Sequence, residues 1–233
     1  VAETMLVDDQ ARREMFPDTG PGRRGVLAWL SVAKFVAKVV IAVIRRYSKG
    51  RAHGMYCTIV EEVMRAAYLD KVGGTIWNQM KKDTLDAFGT EKDCCGAAVI
   101  AELVKTQASE KPFKKITLVG HSTGAVYICH FLDSAAKFIP HQKFDVIFLA
   151  PAVRHDVFAK VAEDHSVCIN GFRIFGMSDA LESADVLVPF LYTRSLLYFV
   201  SGVLEGHTEG EAWTDDVDAP VLGMERFVAD DPV

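Results

Sequence analysis

The sequence lacks the features that identify several large classes of protein. It has five cysteines but no Cys-x-x-Cys spacing and no matching histidine pair, so neither a zinc site nor a disulfide framework is indicated. Gly73 and Gly74 are not followed by the Lys-Ser/Thr of a phosphate-binding loop, and no Gly-x-Gly-x-x-Gly follows a strand-like run. We therefore expect no metal and no cofactor, and a reducing, cytoplasmic compartment.

A concentration of positive charge is also missing. The net charge is -5 and there is no dense basic stripe, which argues against nucleic acid as a partner. No basic segment followed by a small-residue cleavage site opens the chain, so a secretory signal peptide is not predicted. With 233 residues, 50% hydrophobic and 24% charged, the composition fits a soluble enzyme built as one domain with a cap.

The most informative segment that is present is Gly120-His121-Ser122-Thr123-Gly124, directly behind the apolar run 116–119. This pattern places a serine where a strand turns sharply into a helix, so that its hydroxyl projects above the end of the strand. The strained turn predicts small residues two positions before and two after the serine, and both are glycine. Apolar residues then recur at mostly helical spacing as far as Pro140, which predicts the helix.

A helix that begins at this point has a chemical use. Its first backbone N–H groups have no partner within the helix, and its N-terminal end carries a partial positive charge. The N–H of Thr123, immediately after Ser122, is therefore the expected first donor to an oxyanion that forms during attack by the serine.

At these residues the chain resembles the α/β-hydrolase family, particularly its esterase and lipase branch, in which Gly-His-Ser-Thr-Gly is a familiar form of the turn. The resemblance extends from about Ile116 to the region of His207. It implies an α/β fold with a mainly parallel sheet flanked by helices on both faces. It also implies a catalytic triad in the chain order serine, acid, histidine.

The resemblance places the acid just beyond the second strand after the serine. Runs 144–150 and 172–177 read as these two strands, and Asp179 follows the second one. Asp179 is therefore the predicted acid, with Glu182 and Asp185 as nearby alternatives. Asp156, soon after the preceding strand, is a less common position in the family.

The base should be a histidine, because an imidazole of near-neutral pKa can take the serine proton and return it to the leaving group. Of the seven histidines, only His207 follows Asp179 in the chain. It lies in a glycine-flanked loop beyond a strand-like run, 195–200, and is the predicted base. His155, beside Asp156, is the second choice. His121, inside the turn, is predicted to pack or to contact substrate.

The part of the chain before residue 110 departs from the family. Several strands are expected there, with a loop that often begins His-Gly and supplies a second oxyanion donor, yet the periodicity predicts mainly helices. We expect the first strands of the fold to be missing, with a helical cap or lid over residues 1–90 and the catalytic half of the domain over 91–233. His53-Gly54 would be the oxyanion loop only if 39–44 formed a strand.

One predicted helix, Val26–Ile44, approaches the length of a membrane span, but Lys34 and Lys38 would be costly in a bilayer core. An interfacial or cap helix is expected instead, and its apolar face would favour lipid-like substrates and contact with a membrane surface. A helix simply packed on the core is an equally good interpretation.

The sequence thus predicts a serine hydrolase that cleaves carboxylic esters through an acyl-enzyme, with a small-molecule ester or lipid-like substrate. The alternative is a non-catalytic or truncated hydrolase-like protein that acts through binding or assembly. A sheet edge left by missing strands would also favour a homo-oligomer.

Overall fold

The computed structural model describes residues 24–48, 54–66, 69–89, 94–205 and 218–228. The described residues separate into two compact units. The helical unit holds those up to Trp77 together with Ser183–Ala219, and the sheet unit holds Asn78–Glu182 together with those from Pro220 onward. The predicted cap of residues 1–90 overlaps the helical unit, but its role as a cap stays a prediction.

The sheet unit is built on three parallel strands, β1 (Thr117–His121), β2 (Phe144–Leu149) and β3 (Ile169–Phe175). They lie side by side in chain order, and β2 pairs with both neighbours. Each strand overlaps one of the apolar runs from which it is predicted, although β3 begins three residues before the run 172–177 and ends two residues before its end. Parallel neighbours need a crossover between them, and helices α5 (Gly124–Phe138) and α6 (His155–Asp164) fill the two crossovers.

The core lies on one face of this sheet. Phe144, Val146 and Phe148 alternate along β2 and are at most 1% exposed. They form one apolar cluster with residues of α5, of α6 and of α4 (Cys95–Gln107). Aromatic rings pack edge to face within this cluster, and the ring centroids of Phe148 and Phe158 lie 5.1 Å apart. An α/β fold with a parallel sheet flanked by helices is therefore confirmed.

The opposite face of the sheet is less well covered. Val119 on β1 and Phe175 on β3 are 59% and 55% exposed, and Leu149 of β2, the register partner of Phe175, is 37% exposed. Parallel strands are usually buried on both faces, so this half-exposed apolar face departs from the expectation of helices on both sides.

The described parts of the first half of the chain are helical. Its elements are α1 (Arg24–Ser48), α2 (Met55–Ala66) and α3 (Leu69–Asp86), followed by α4. In the described parts of residues 24–111 every regular element is a helix, as the periodicity predicts. The alternative strand at 39–44 is wrong, because those residues continue α1. No helix among the described residues has both the length and the apolar character needed to cross a bilayer.

The strand predicted at 195–200 is also wrong. Ser195 caps a short helix, α8 (Leu196–Phe199), by accepting a hydrogen bond from the Tyr198 N–H, and a π-helix (Val200–Leu204) follows directly. A short apolar run with buried residues at consecutive positions suits a buried helix as well as a strand, and here the serine cap decides between them. Two further short helices are α7 (Asp179–Ala184) and α9 (Glu225–Val228).

A buried cluster of charges joins the elements of the helical unit. Arg46, near the end of α1, is 1% exposed and lies 3.1 Å from Glu61 and 2.6 Å from Glu62 of α2. Its other terminal nitrogen pairs with Asp218. The Tyr192 hydroxyl donates to Glu61 at 2.6 Å, and burial raises the pKa of this hydroxyl above its ordinary value. Three carboxylates thus surround one guanidinium, which offsets the cost of burying it.

The π-helix packs against the same cluster of charges. Arg65 pairs with Glu62 at 3.1 Å and also donates to the carbonyl of Gly202 within the π-helix. A Cβ at Gly202 would lie 2.9 Å from a carboxylate oxygen of Glu61, so only glycine lets the π-helix approach this closely. Burial and then the neighbouring Arg46 lower the pKa of Arg65 to about 10.

Substitution of two adjacent arginines, Arg45 and Arg46, distinguishes the contribution of the buried cluster to stability from a general effect of changing an arginine in α1. Arg46→Met leaves three buried carboxylates without their shared partner and should destabilise the helical unit by about 3–5 kcal/mol. Arg45→Met changes an exposed neighbour on the same helix and should stay within about 0.5 kcal/mol. Chemical denaturation of the two variants would measure this, and similar losses for both would show that the cluster does not stabilise the fold.

The two glycines of the Gly120–Gly124 pentapeptide have different surroundings. A Cβ at Gly120 would lie 2.8 Å from both the Gly124 carbonyl oxygen and the Ile128 Cδ1, so α5 packs against β1 only because this side chain is missing. A Cβ at Gly124 would meet nothing within 4 Å. The predicted need for a small residue therefore holds at position 120 and is wrong at position 124.

This difference predicts opposite outcomes for two identical substitutions. Gly120→Ala should destabilise the sheet unit by about 1–3 kcal/mol, since a backbone oxygen cannot move aside as a flexible side chain would. Gly124→Ala should be neutral or stabilising by up to about 1 kcal/mol, because alanine favours the first turn of α5. Thermal unfolding of both variants tests the pair, and equal destabilisation by both would contradict the packing described here.

Candidate active site

Ser122 occupies the turn between β1 and α5 in a left-handed backbone conformation. Its φ angle is 52°, whereas non-glycine residues rarely adopt positive φ. Three hydrogen bonds of 3.1 Å hold the turn: the Ser122 N–H donates to the Leu149 carbonyl, and the Ser122 carbonyl accepts from Ala125 and Ala152. Backbone hydrogen bonds to the end of β2, to the segment after β2 and to α5 therefore fix the position of the serine. Such over-determined strain is typical of functional sites.

The residue after the serine begins the helix. Thr123 has helical φ and ψ, and its carbonyl accepts from the N–H groups of Val126 and Tyr127. Among the described residues, no hydrogen bond uses the N–H of Thr123 itself. This N–H is therefore a free hydrogen-bond donor at the positive end of α5, and an oxyanion site requires such a donor. Ser122 and Thr123 are half-buried and His121 is exposed.

The register of the sheet brings the serine and the predicted acid to one edge. His121, Leu149 and Phe175 are aligned across the three strands, so the chain leaves β1 and β3 at the same carboxyl end. Ser122 follows immediately after β1, and Asp179 follows four residues after β3. Strands lie about 4.8 Å apart, which places the ends of β1 and β3 roughly 10 Å apart.

Asp179 is the first residue of α7 and is half-buried. Its backbone N–H donates to a carboxylate oxygen of Glu225 at 2.7 Å. Glu182, one alternative acid, is 1% exposed within the same helix, and Asp185 is exposed. Asp156 is held by Arg154 through two contacts of 2.9 Å, and this hydrogen bonding lowers the pKa of Asp156. Asp156 is thus engaged in an exposed ion pair.

Five of the seven histidines lie in the part of the chain that the structure describes. His207, the predicted base, and His53 of the alternative oxyanion loop both lie outside the described residues. His155 is 8% exposed at the start of α6, where its backbone N–H donates to the Pro220 carbonyl. No hydrogen bond among the described residues joins the Ser122 hydroxyl to a histidine or an acid.

One segment of the site was not foreseen from the sequence. Residues 220–225 run antiparallel to 151–155, with hydrogen bonds of 2.8 Å from Leu222 N–H to Val153 and 2.9 Å from Gly223 N–H to Pro151. A Cβ at Gly223 would lie 2.5 Å from the Pro151 carbonyl oxygen. The signal was the apolar run Val221-Leu222-Gly223-Met224, which interrupts the acidic end of the chain.

The described residues offer no site for a metal ion, since no group of three or more histidine, cysteine, aspartate or glutamate side chains is suitably arranged in them. All five cysteines are free. Cys129 faces the core from α5, and burial raises the pKa of its thiol to about 12. It is therefore a small apolar packing residue of the helix that positions Ser122.

Comparison with known families gives a match over residues 83–182, to the model described as "Alpha/beta hydrolase of unknown function (DUF900)". The matched segment contains all three strands and both crossover helices. Comparisons with curated proteins and with solved structures gave no match. Over residues 83–182, this chain is therefore similar in sequence to an α/β-hydrolase family whose function is unknown, and the parallel sheet flanked by helices agrees with that similarity.

Proposed function

We propose that the protein is a serine hydrolase that cleaves carboxylic esters, with Ser122 as the nucleophile. The observation that carries the proposal is the positive φ of Ser122 at the junction of a parallel strand and a helix. A strained serine at this junction has its hydroxyl above the strand end and next to the first N–H groups of the helix. The match to a hydrolase family over the same residues supports it.

In the proposed reaction, the Ser122 Oγ attacks the ester carbonyl carbon while its proton passes to an imidazole. The carbonyl oxygen becomes negatively charged and accepts a hydrogen bond from the Thr123 N–H, whose effect is greatest on this tetrahedral intermediate. When the intermediate collapses, the C–O bond to the alcohol breaks and the imidazole returns the proton to the alcohol. Water then attacks the acyl-enzyme by the same route and releases the acid.

The proposed base is His207, and the proposed acid that orients its imidazole is Asp179. Asp179 is favoured over Asp156 because it follows β3 at the carboxyl end of the sheet, where the resemblance places the acid, and because Asp156 is held in a bidentate ion pair by Arg154. His121, which is exposed beside the nucleophile, is the proposed substrate contact. The preference for an ester over an amide comes from the resemblance to esterases and lipases. A reducing, cytoplasmic compartment is proposed from the five free cysteines.

Removal of the nucleophile is the first test. Wild-type protein should hydrolyse p-nitrophenyl acetate and react covalently with a fluorophosphonate probe, and Ser122→Ala should lose the probe adduct and at least about 10³-fold in kcat/KM. Ser166→Ala changes an exposed serine of the sheet unit and should keep both properties. Absence of hydrolysis and labelling in the wild type, with an intact fold by circular dichroism, would favour the non-catalytic alternative.

The triad partners are tested separately by matched substitutions. Asp179→Asn should lower kcat by about 10³–10⁴-fold, because the imidazole then loses the carboxylate that fixes its tautomer. Asp156→Asn should leave kcat within a few-fold of the wild-type value. His207→Gln should abolish turnover and His155→Gln should not. If His155→Gln abolished turnover and His207→Gln did not, the base would be reassigned to His155.

A further inference from the structure

The segment 220–225 is a stretch of irregular backbone packed into the carboxyl end of the sheet. Its residues 221–224 are all buried, although they form no helix or strand. Irregular backbone usually lies at the surface, because its N–H and C=O groups need partners. Here residues 151–155, after β2, supply partners through backbone hydrogen bonds of 2.8 to 3.0 Å. The segment is therefore a fixed part of this edge of the sheet.

The loop with which this segment pairs also supports the proposed nucleophile. The Ala152 N–H donates to the Ser122 carbonyl at 3.1 Å. Ala150, at the start of the same loop, has a φ of 41°, which is strained for a residue other than glycine. A Cβ at Gly223 would lie 3.0 Å from the Ala150 carbonyl carbon, so the segment packs directly on this strained residue. Segment 220–225 thus holds the loop that in turn holds the serine.

The last residue of the segment contacts the proposed acid. The Asp179 N–H donates to a carboxylate oxygen of Glu225 at 2.7 Å, and the negative charge of the acceptor strengthens such a bond. Asp179 is the first residue of α7, so its N–H has no acceptor within that helix. A Cβ at Gly176 would lie 2.8 Å from the Gly223 carbonyl oxygen. The segment therefore meets the chain between β3 and Asp179 at two points.

We propose that segment 220–225 sets the distance between Ser122 and Asp179, and that Glu225 is a positioning residue for the acid. This inference rests on the proposed function. The serine and the acid follow strands whose ends lie roughly 10 Å apart, and catalytic groups must be held to within about 0.5 Å of the productive geometry. The segment contacts the supports of both groups. Glu225 binds the backbone of Asp179, so it fixes the point from which the carboxylate extends.

The exposure of Glu225 separates this role from one in stability. Its side chain is exposed, whereas the buried contacts of the segment come from Val221, Leu222 and Met224, which are at most 3% exposed. Loss of one exposed hydrogen bond should therefore change the unfolding temperature by no more than a few degrees. A displacement of the acid by about 1 Å, in contrast, can lower the rate about 10²-fold.

Two substitutions of similar length test the role of Glu225. Glu225→Met cannot accept the Asp179 N–H, whereas Glu225→Gln keeps an acceptor oxygen without the charge. With p-nitrophenyl acetate, Glu225→Met should lower kcat by about 10–100-fold with little change in KM, and Glu225→Gln should stay within about three-fold of the wild type. Glu163→Met changes an exposed acid of α6 and is the matched control, with the kcat of the wild type. Rates of reaction with the fluorophosphonate probe should follow the same order.

Hydrogen exchange at the Asp179 amide gives a second readout that does not depend on activity. By NMR, exchange of this N–H should be slow in the wild type and in Glu225→Gln. It should be on the order of tenfold faster in Glu225→Met, because the N–H has then lost its acceptor. Thermal unfolding of all variants should agree within a few degrees, and Glu225→Ala replaces Glu225→Met if the latter unfolds early.

The other outcomes decide against the inference. A normal kcat in Glu225→Met, or an equal loss in Glu225→Met and Glu225→Gln, would overturn the positioning role and leave Ser122 as the nucleophile. Unchanged exchange at the Asp179 amide in Glu225→Met would also overturn it. A wild type that neither hydrolyses the ester nor reacts with the probe would contradict the proposed function, and the positioning role would fall with it. The exchange rates would still show whether Glu225 holds the Asp179 backbone.

Discussion

The turn at Ser122 is the constraint on which the rest of the sheet unit depends. A positive φ at a serine is unfavourable by itself, and it persists because the residue is bonded to the end of β2 and to the segment that follows it. The same bonds fix the end of β1 relative to β2, and the missing side chain at Gly120 lets α5 pack directly on the strand. Strand register, helix direction and serine exposure are therefore consequences of a single local geometry.

The helical unit is organised by a network of buried side-chain charges and not by a backbone turn. Its elements meet around buried charges, and one guanidinium, that of Arg46, connects α1 with α2 and with Asp218. Such a network is stable only when every member is present, since a partner left alone in the interior is costly.

The sequence was most informative where a local rule and the tertiary structure agree. The strands ending near 121, 149 and 175 and the helices of the first half were predictable from apolar runs and helical spacing, and the serine turn from its flanking glycines. The run 195–200 was not predictable, because continuous apolarity has no period and the Ser195 cap is a weak signal. The open space at Gly124 and the charged cluster around Arg46 were also out of reach. Both depend on residues distant in the chain, which no local pattern reports.

The segment 220–225 has a consequence for biosynthesis. The three strands and the helices between them lie within residues 95–175, but the stretch that borders their carboxyl end, with Gly223 against Pro151, comes some fifty residues later. Chains emerge from the ribosome N-terminus first, and domains tend to fold as they appear. A nascent chain can therefore assemble the sheet and form the strained serine turn early. The edge that carries Ser122 is completed only after the second part of the helical unit has been synthesised.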